Sequence, residues 1–279
     1  MMRDILRTIG AGRLKSGMKV AISRHRQALP IKLLHEVTAF IEESYANEGS
    51  DFASNGEHDL LKKLKQADFR TAFDVGANTG AWSIAALTLW LNCRVHAFEV
   101  APDTYKELQE HIAASPFADR IVLNDFGVSD ANGAMTMYYY PDSPELTCDS
   151  PRHVNEVAVP FEAKLERLDD YCKRHGIEQV DFLKVDVEGA ENRVFKGFSD
   201  FLDGKKVNCI QFEYGAFSIQ TRFLLKDYYE LLGERYWMGK IYPSYVDFRD
   251  YDWRMENFRF CNYCCVSRDR PDLKKLLEA

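Results

Sequence analysis

The spacing of apolar residues changes character along the chain. Within residues 31–45 they fall at Ile31, Leu34, Val37, Ala39 and Ile41, the period of one helix face. Residues 47–56 are polar and hold two glycines and two serines, which reads as a linker. Residues 57–67 predict a short amphipathic helix. From residue 70 onward, short β-branched and aromatic runs alternate with helix-period segments. The runs predict strands over 70–75, 94–100, 120–126, 180–185 and 207–214. The segments predict helices over 79–91, 102–114, 168–175, 190–202 and 223–235. Residues 134–140, behind the turn Asp130-Ala-Asn-Gly133, predict an extra strand, and 237–242 with 260–266 a long closing hairpin. Strict alternation of strand and helix implies a doubly wound, mostly parallel α/β sheet with helices on both faces. Residues 1–55 stand apart as a helical, basic N-terminal extension, and 56–279 form the α/β domain.

Composition adds exclusions. At 279 residues, 46% hydrophobic and 28% charged, the chain has ordinary globular composition rather than that of a disordered or disulfide-stapled one. No apolar run approaches the roughly 20 residues that span a bilayer. The N-terminus is studded with Arg and Lys and develops no apolar core, so a cytoplasmic location is the default expectation. Seven cysteines is an odd number. Most sit in apolar segments, including Cys261-x-x-Cys264-Cys265, and are expected as buried thiols rather than a zinc site. The first 32 residues carry eight basic residues and one acid, a charge of +7. The whole chain carries -7, so the remainder carries -14. An acidic body argues against a nucleic-acid partner. The basic arm suits an acidic membrane surface or a solvated leader.

The richest stretch is Phe73-Asp74-Val75-Gly76-Ala77-Asn78-Thr79-Gly80, which ends the first predicted strand and opens a helix. Gly76 permits a sharp turn. Gly80 is expected to let a ligand approach the helix start, where free N–H groups and the dipole gather. Glu99 closes the next strand, 23 residues after Gly76, where an acid in a doubly wound sheet accepts hydrogen bonds from ribose hydroxyls. The loop lacks the middle glycine of a dinucleotide fingerprint and carries Asp74 instead, which suits a cationic ligand group. S-adenosylmethionine fits this set: Asp74 for its amino-acid end, the loop Gly76, Ala77, Asn78, Thr79 and Gly80 for close approach, Glu99 for the ribose.

Three segments together, Asp74-Val-Gly-Ala-Asn-Thr-Gly80, Ala97-Phe-Glu-Val-Ala-Pro102 and Phe182-Leu-Lys-Val-Asp-Val-Glu-Gly-Ala-Glu191, resemble the FkbM family of methyltransferases. The resemblance covers residues 70–215 and is most specific in the last segment. Arg167-Leu-Asp-Asp170 is similar to a further family element. It implies a seven-stranded, Rossmann-like class I methyltransferase fold and methyl transfer to a hydroxyl of a sugar, glycan or secondary metabolite. It also implies adenine contacts from Asp125 and the Phe126 backbone. Val100 departs from the family's Glu-Pro, and the proline arrives at Pro102.

Methyl transfer to an unactivated hydroxyl gains from a base. Lys184, Asp186 and Glu188 cluster at the end of the fourth core strand and Glu213 at the end of the fifth, so these four are the catalytic candidates. Glu191 suits a helix N-terminus, and His153 sits in a polar stretch expected to form a substrate-facing loop. No metal is assigned from the sequence. Asp186, Glu188 and Glu213 would suit a hard ion such as Mg²⁺ if they converged. The rival readings are a nucleotide-binding oxidoreductase and a catalytically silent binding protein with the same fold.

Overall fold

The computed structural model describes residues 11–149, 151 and 156–278, with side chains from Lys15 onward. His153 lies outside the described residues. The chain divides into two units, residues 1–48 and 49–279, so the expected boundary at 55 falls inside the second unit.

In the first unit, α1 (Ala11–Arg24) and α2 (Leu29–Ala46) are amphipathic helices. Pro30 stands in the first turn of α2, where its missing N–H costs nothing. Asn47 ends α2 in the left-handed conformation, its N–H capping the last carbonyls. No residue of α2 is buried.

The second unit opens with α3 (Glu57–Lys63) and then alternates: β1 (Thr71–Val75), α4 (Ala81–Leu89), β2 (Arg94–Phe98), α5 (Pro102–Ala114), β3 (Ile121–Asn124). Next come β4 (Gly127–Val128), β5 (Gly133–Tyr139), β6 (Val159–Glu166), α6 (Leu168–His175) and β7 (Val180–Val185). Two short helices follow, α7 (Glu191–Gly197) and α8 (Ser199–Asp203), then β8 (Val207–Tyr214), α9 (Ser218–Thr221) and α10 (Leu225–Leu232). The chain closes with β9 (Tyr236–Tyr242), β10 (Tyr245–Phe248), β11 (Cys261–Ser267) and α11 (Pro271–Glu278).

The main sheet runs β10-β9-β11-β8-β7-β1-β2-β3. Its β8-β7-β1-β2-β3 part is parallel, and β11, β9 and β10 are antiparallel. This is the Rossmann-like architecture of class I methyltransferases, with one strand, β10, beyond the seven expected. The predicted hairpin forms, because β9 and β11 pair, but β11 slots between β9 and β8. Chain order reverses at β1, with β2 to one side and β7 to the other, and ligands gather at such a switch point. Strand alternation sends Phe73, Leu183 and Phe212 to one face and Ala72, Phe182 and Cys209 to the other, so each face buries its own apolar cluster. All seven cysteines are buried.

Two expectations need correction. The predicted 190–202 helix is two helices, broken at Phe198, whose backbone leaves the helical region (φ -121°, ψ 23°). Residues 159–166, expected partly as loop, form β6, the middle strand of a separate sheet β4-β6-β5. Phe161, Ala163 and Leu165 alternate with polar residues there, but Pro160 disguised the strand. The proline sits opposite Tyr138 near the strand's start, before β6 meets β4 at Leu165, so no ladder bond to β4 is lost.

His96 of β2 is buried beside Phe73, its Nδ1 2.6 Å from the Tyr171 hydroxyl. Burial first, then the nearby His175 and Arg94 charges, pushes its pKa down to about 4. The unfolded chain therefore binds a proton near pH 6.5 that the fold refuses until about pH 4. Stability from this residue is complete above pH 6.5 and is lost as pH falls through 4, at most roughly 3 kcal/mol. Urea unfolding from pH 7 to pH 4 should show wild type losing more stability than His96→Gln. Parallel losses would refute the assignment.

Candidate active site

The C-terminal ends of β1, β2 and β7 open into one cavity, part of it open to solvent. Its apolar wall includes Phe98, Val100, Phe126 and Val128, and its polar rim includes Asn78, Glu99 and Asp186. The separate small sheet roofs it with Met135 and Met137 of β5.

Glu99 is 8% exposed and grips the loops on both sides. The Asn78 N–H donates to its Oε2 at 2.9 Å and the Ala101 N–H to its Oε1 at 2.9 Å. Burial raises its pKa, and these backbone donors oppose the rise. The carboxylate keeps lone-pair capacity for a ligand hydroxyl.

Gly76 is a true backbone requirement. Its φ is +82°, and a Cβ would stand 1.8 Å from the Asp186 carbonyl oxygen. The β1 turn is thus pressed against the acid-bearing end of β7, and the Asp186 N–H donates to the Val75 carbonyl at 2.9 Å. Gly80 has a different reason from the one expected. Its φ is +85°, and a Cβ would meet Leu108 at 2.7 Å and Ile112 at 2.9 Å, so it admits α5 rather than a ligand.

Asp74 is likewise redirected. It is fully buried and does not line the cavity. Ser83 Oγ donates to its Oδ2 at 2.7 Å, and Lys184 Nζ lies 3.6 Å from its Oδ1. Its immediate partner is therefore a lysine ammonium within the protein, not the ligand ammonium expected. Asp125 also departs from expectation: its side chain is exposed and off the cavity wall, whereas Phe126 lines it. Ala77 is buried in the apolar cluster, and Thr79 offers its carbonyl to His111 Nδ1 at 3.3 Å. Neither lines the cavity.

The four catalytic candidates do come together. Lys184 of β7 and Asp186, one residue past its end, lie on one side, and Lys184 Nζ donates to Asp186 Oδ2 at 3.0 Å. Burial alone would lower the lysine pKa, but Asp186, Asp74 and Glu57 outweigh it and hold the ammonium charged. One oxygen from each of Asp186, Glu188 and Glu213 lies within 4.8 Å of the others. Glu188 is placed by a left-handed turn (φ 57°) followed by Gly189 (φ 105°). Glu191 fastens that turn: its Oε1 accepts from the Val187 N–H at 3.2 Å and the Gly189 N–H at 3.1 Å. Burial pushes its pKa up to about 8.

Sequence reasoning missed two parts of the site. Glu57 of α3 forms a buried network with Asn55 (2.6 Å), Asn262 (3.2 Å) and Gln211 behind Lys184. Arg193 of α7 pairs with Asp149 at 3.1 Å on the cavity wall. Both join residues far apart in the chain, and no local pattern announces them.

The model of the "Methyltransferase FkbM domain" matches residues 74–251. Methyltransferase sdnD of Sordaria araneosa is 28% identical over 154 residues, 46% of this chain and 60% of that protein. The 31-O-demethyl-FK506 methyltransferase FkbM of Streptomyces tacrolimicus is 26% identical over 226 residues, 71% of this chain and 78% of that one. 2-O-methyltransferase NoeI of Sinorhizobium fredii is 28% identical over 172 residues, 56% of this chain and 68% of that one. Among solved structures, a methyltransferase FkbM from Methylobacillus flagellatus aligns with TM-score 0.42 at 18% identity, covering 71% of this chain and 44% of that one. An O-methyltransferase from Bacillus cereus in complex with SAH aligns with TM-score 0.45 at 11% identity, covering 89% and 97%. At such scores neither bears on the chemistry. The family match spans well over half of the chain, and the chain belongs to the FkbM methyltransferase domain family.

Proposed function

We propose that the chain is an S-adenosylmethionine-dependent O-methyltransferase acting on a hydroxyl of a small molecule or glycan. The observation that carries the reading is that Glu99, at the end of β2, and Asp186, just past the end of β7, face one cavity across the switch point. The cavity suits the cofactor chemically. It has an apolar wall for a purine, a carboxylate with lone-pair capacity for ribose hydroxyls, and a turn whose Asn78 N–H is held by Glu99. When bound, the cofactor supplies a methyl group already activated by sulfonium. Asp186 then takes or orients the acceptor's hydroxyl proton, and Lys184 fixes the Asp186 carboxylate in place. Aligning two reactants in this way supplies several kcal/mol of the barrier. An oxygen acceptor is favoured by relatives whose names specify 31-O- and 2-O-methyl transfer. A hexuronic acid methyltransferase of Haloferax volcanii, 24% identical over 163 residues, favours a sugar.

Thermal shift tests the reading: S-adenosylmethionine and S-adenosylhomocysteine should raise Tm, and nicotinamide dinucleotides should not. A shift with the dinucleotides alone would install the oxidoreductase instead. Within the cavity, Glu99→Gln should weaken S-adenosylhomocysteine binding by roughly 1.5–3 kcal/mol, the worth of hydrogen bonds to a charged acceptor. Unchanged affinity by calorimetry would remove Glu99 from the ribose.

The first unit fits an anionic lipid surface. Leu33, Leu34, Val37, Phe40, Ile41 and Tyr45 of α2 are all more than half exposed, Tyr45 at 85%. In α1, Met18 and Ile22 are exposed in a helix that also carries Lys15, Lys19 and Arg24. Apolar faces beside basic residues lie in the headgroup region of acidic bilayers. No helix among the described residues is long and apolar enough to cross one. The full chain should co-sediment with phosphatidylserine vesicles at low salt, bind less at 0.5 M salt, and lose binding in Val37→Glu/Phe40→Glu. Absence of binding at low salt would leave a solvated leader.

A further inference from the structure

The register of β7 and β8 sets two acids side by side. Val185 pairs with Phe212 in parallel, so Asp186 and Glu213 follow on the next rung. Like charges on neighbouring strands repel. Glu188 then turns back toward the same point, bringing one oxygen of each acid within 4.8 Å of the other two. Bonds of about 2.0–2.6 Å from hard cations to oxygen place two ligands of one ion no more than about 5 Å apart. The spacing fits that limit.

A second observation comes from Glu213 itself. It is 3% exposed, and its Oε2 is buried with no hydrogen-bond partner. A carboxylate buried without a donor is costly. The neighbouring cation is committed elsewhere: Lys184 lies 3.6 Å from Asp74 Oδ1 and 3.0 Å from Asp186 Oδ2. Its contact with Asp186 uses Oδ2 and takes no part of Oδ1.

We infer that Asp186, Glu188 and Glu213 bind one hard divalent cation of the Mg²⁺ class. Three carboxylates with no thiol or imidazole select Mg²⁺, Mn²⁺ or Ca²⁺ over zinc. The ion would satisfy the orphaned oxygen of Glu213 and relieve the repulsion on that rung. Its catalytic use rests on the methyl-transfer reading: a cation beside Asp186 coordinates the acceptor oxygen and makes its hydroxyl easier to deprotonate. Its binding does not rest on that reading.

The test uses the full chain and the metal alone. Titration with Mn²⁺, followed by electron paramagnetic resonance, should show one bound ion that Mg²⁺ displaces. Glu213→Gln and Glu188→Gln should each weaken Mn²⁺ binding at least tenfold, while S-adenosylhomocysteine affinity stays within twofold. Without metal, Glu213→Gln should melt at or above the wild-type temperature, because it removes a buried carboxyl group crowded by Asp186 and Glu188. Saturating Mg²⁺ should raise the Tm of wild type but not of Glu213→Gln. Absence of stoichiometric Mn²⁺ binding to wild type, or binding that both variants retain, would overturn the site. Loss of S-adenosylhomocysteine binding by wild type would instead count against the methyltransferase reading and leave the metal result standing.

Discussion

Asp186→Asn should lower methyl-transfer turnover by about 10²–10⁴-fold, the range a general base contributes. The substitution keeps the shape of the side chain and removes its charge and basicity. Lys184 would retain an oxygen to donate to, so the local fold should persist. S-adenosylhomocysteine affinity should change little, because the proposed function puts the cofactor against Glu99, Gly76 and Asn78 and leaves Asp186 to the acceptor. The split is the diagnostic feature: turnover falls while cofactor binding holds. Near-normal turnover on the true acceptor would remove Asp186 from the chemistry.

Gly76→Ala should be the most damaging single-methyl change in the site. The added Cβ would stand 1.8 Å from the Asp186 carbonyl oxygen and 2.8 Å from its carbon. Both obstacles are backbone, so no rotamer change relieves them. A non-glycine residue at φ +82° adds roughly 1–3 kcal/mol of strain, and overpacking typically adds about 1–3 more. That is a large share of a total stability of about 5–15 kcal/mol. The structure can yield only by parting β1 from the end of β7, which displaces Asp186. Urea unfolding should therefore show a loss of roughly 2–6 kcal/mol, and any folded fraction should bind S-adenosylhomocysteine poorly. Gly80→Ala should be milder, because Leu108 and Ile112 meet it with the ends of flexible side chains. Equal damage from both would contradict the difference between backbone and side-chain contact.

The two glycines show what a sequence can and cannot announce. Gly76 and Gly80 both signal a tight, left-handed turn between strand and helix, and the turn is there. Which neighbour fills the space of the missing Cβ depends on the third dimension, and for Gly80 it is α5. Glu99 and Asp186 were legible because strand ends in a doubly wound sheet converge by topology alone. Asp74 followed the same rule but sits inside β1, on the rung of Lys184, where Ser83 and Lys184 engage it and bury it short of the cavity. Position near a strand end says an acid is near the site; only its depth along the strand says whether it reaches the cavity. The network from Glu57 to Gln211, and the pair Arg193–Asp149, bridge segments too distant for any periodic signal. Strand β6 was hidden by Pro160, whose usual meaning is a break, at a rung where no partner needed its N–H.

The proposed function divides labour inside one cavity, with the cofactor held at Glu99 and the acceptor chemistry at Asp186. Calorimetric titration of S-adenosylhomocysteine into wild type, Glu99→Gln and Asp186→Asn tests it directly. One site is expected in wild type, with an affinity weakened by roughly 10–150-fold in Glu99→Gln and near-wild-type affinity in Asp186→Asn. No binding to wild type, or the reverse order of sensitivity between the two variants, would contradict it.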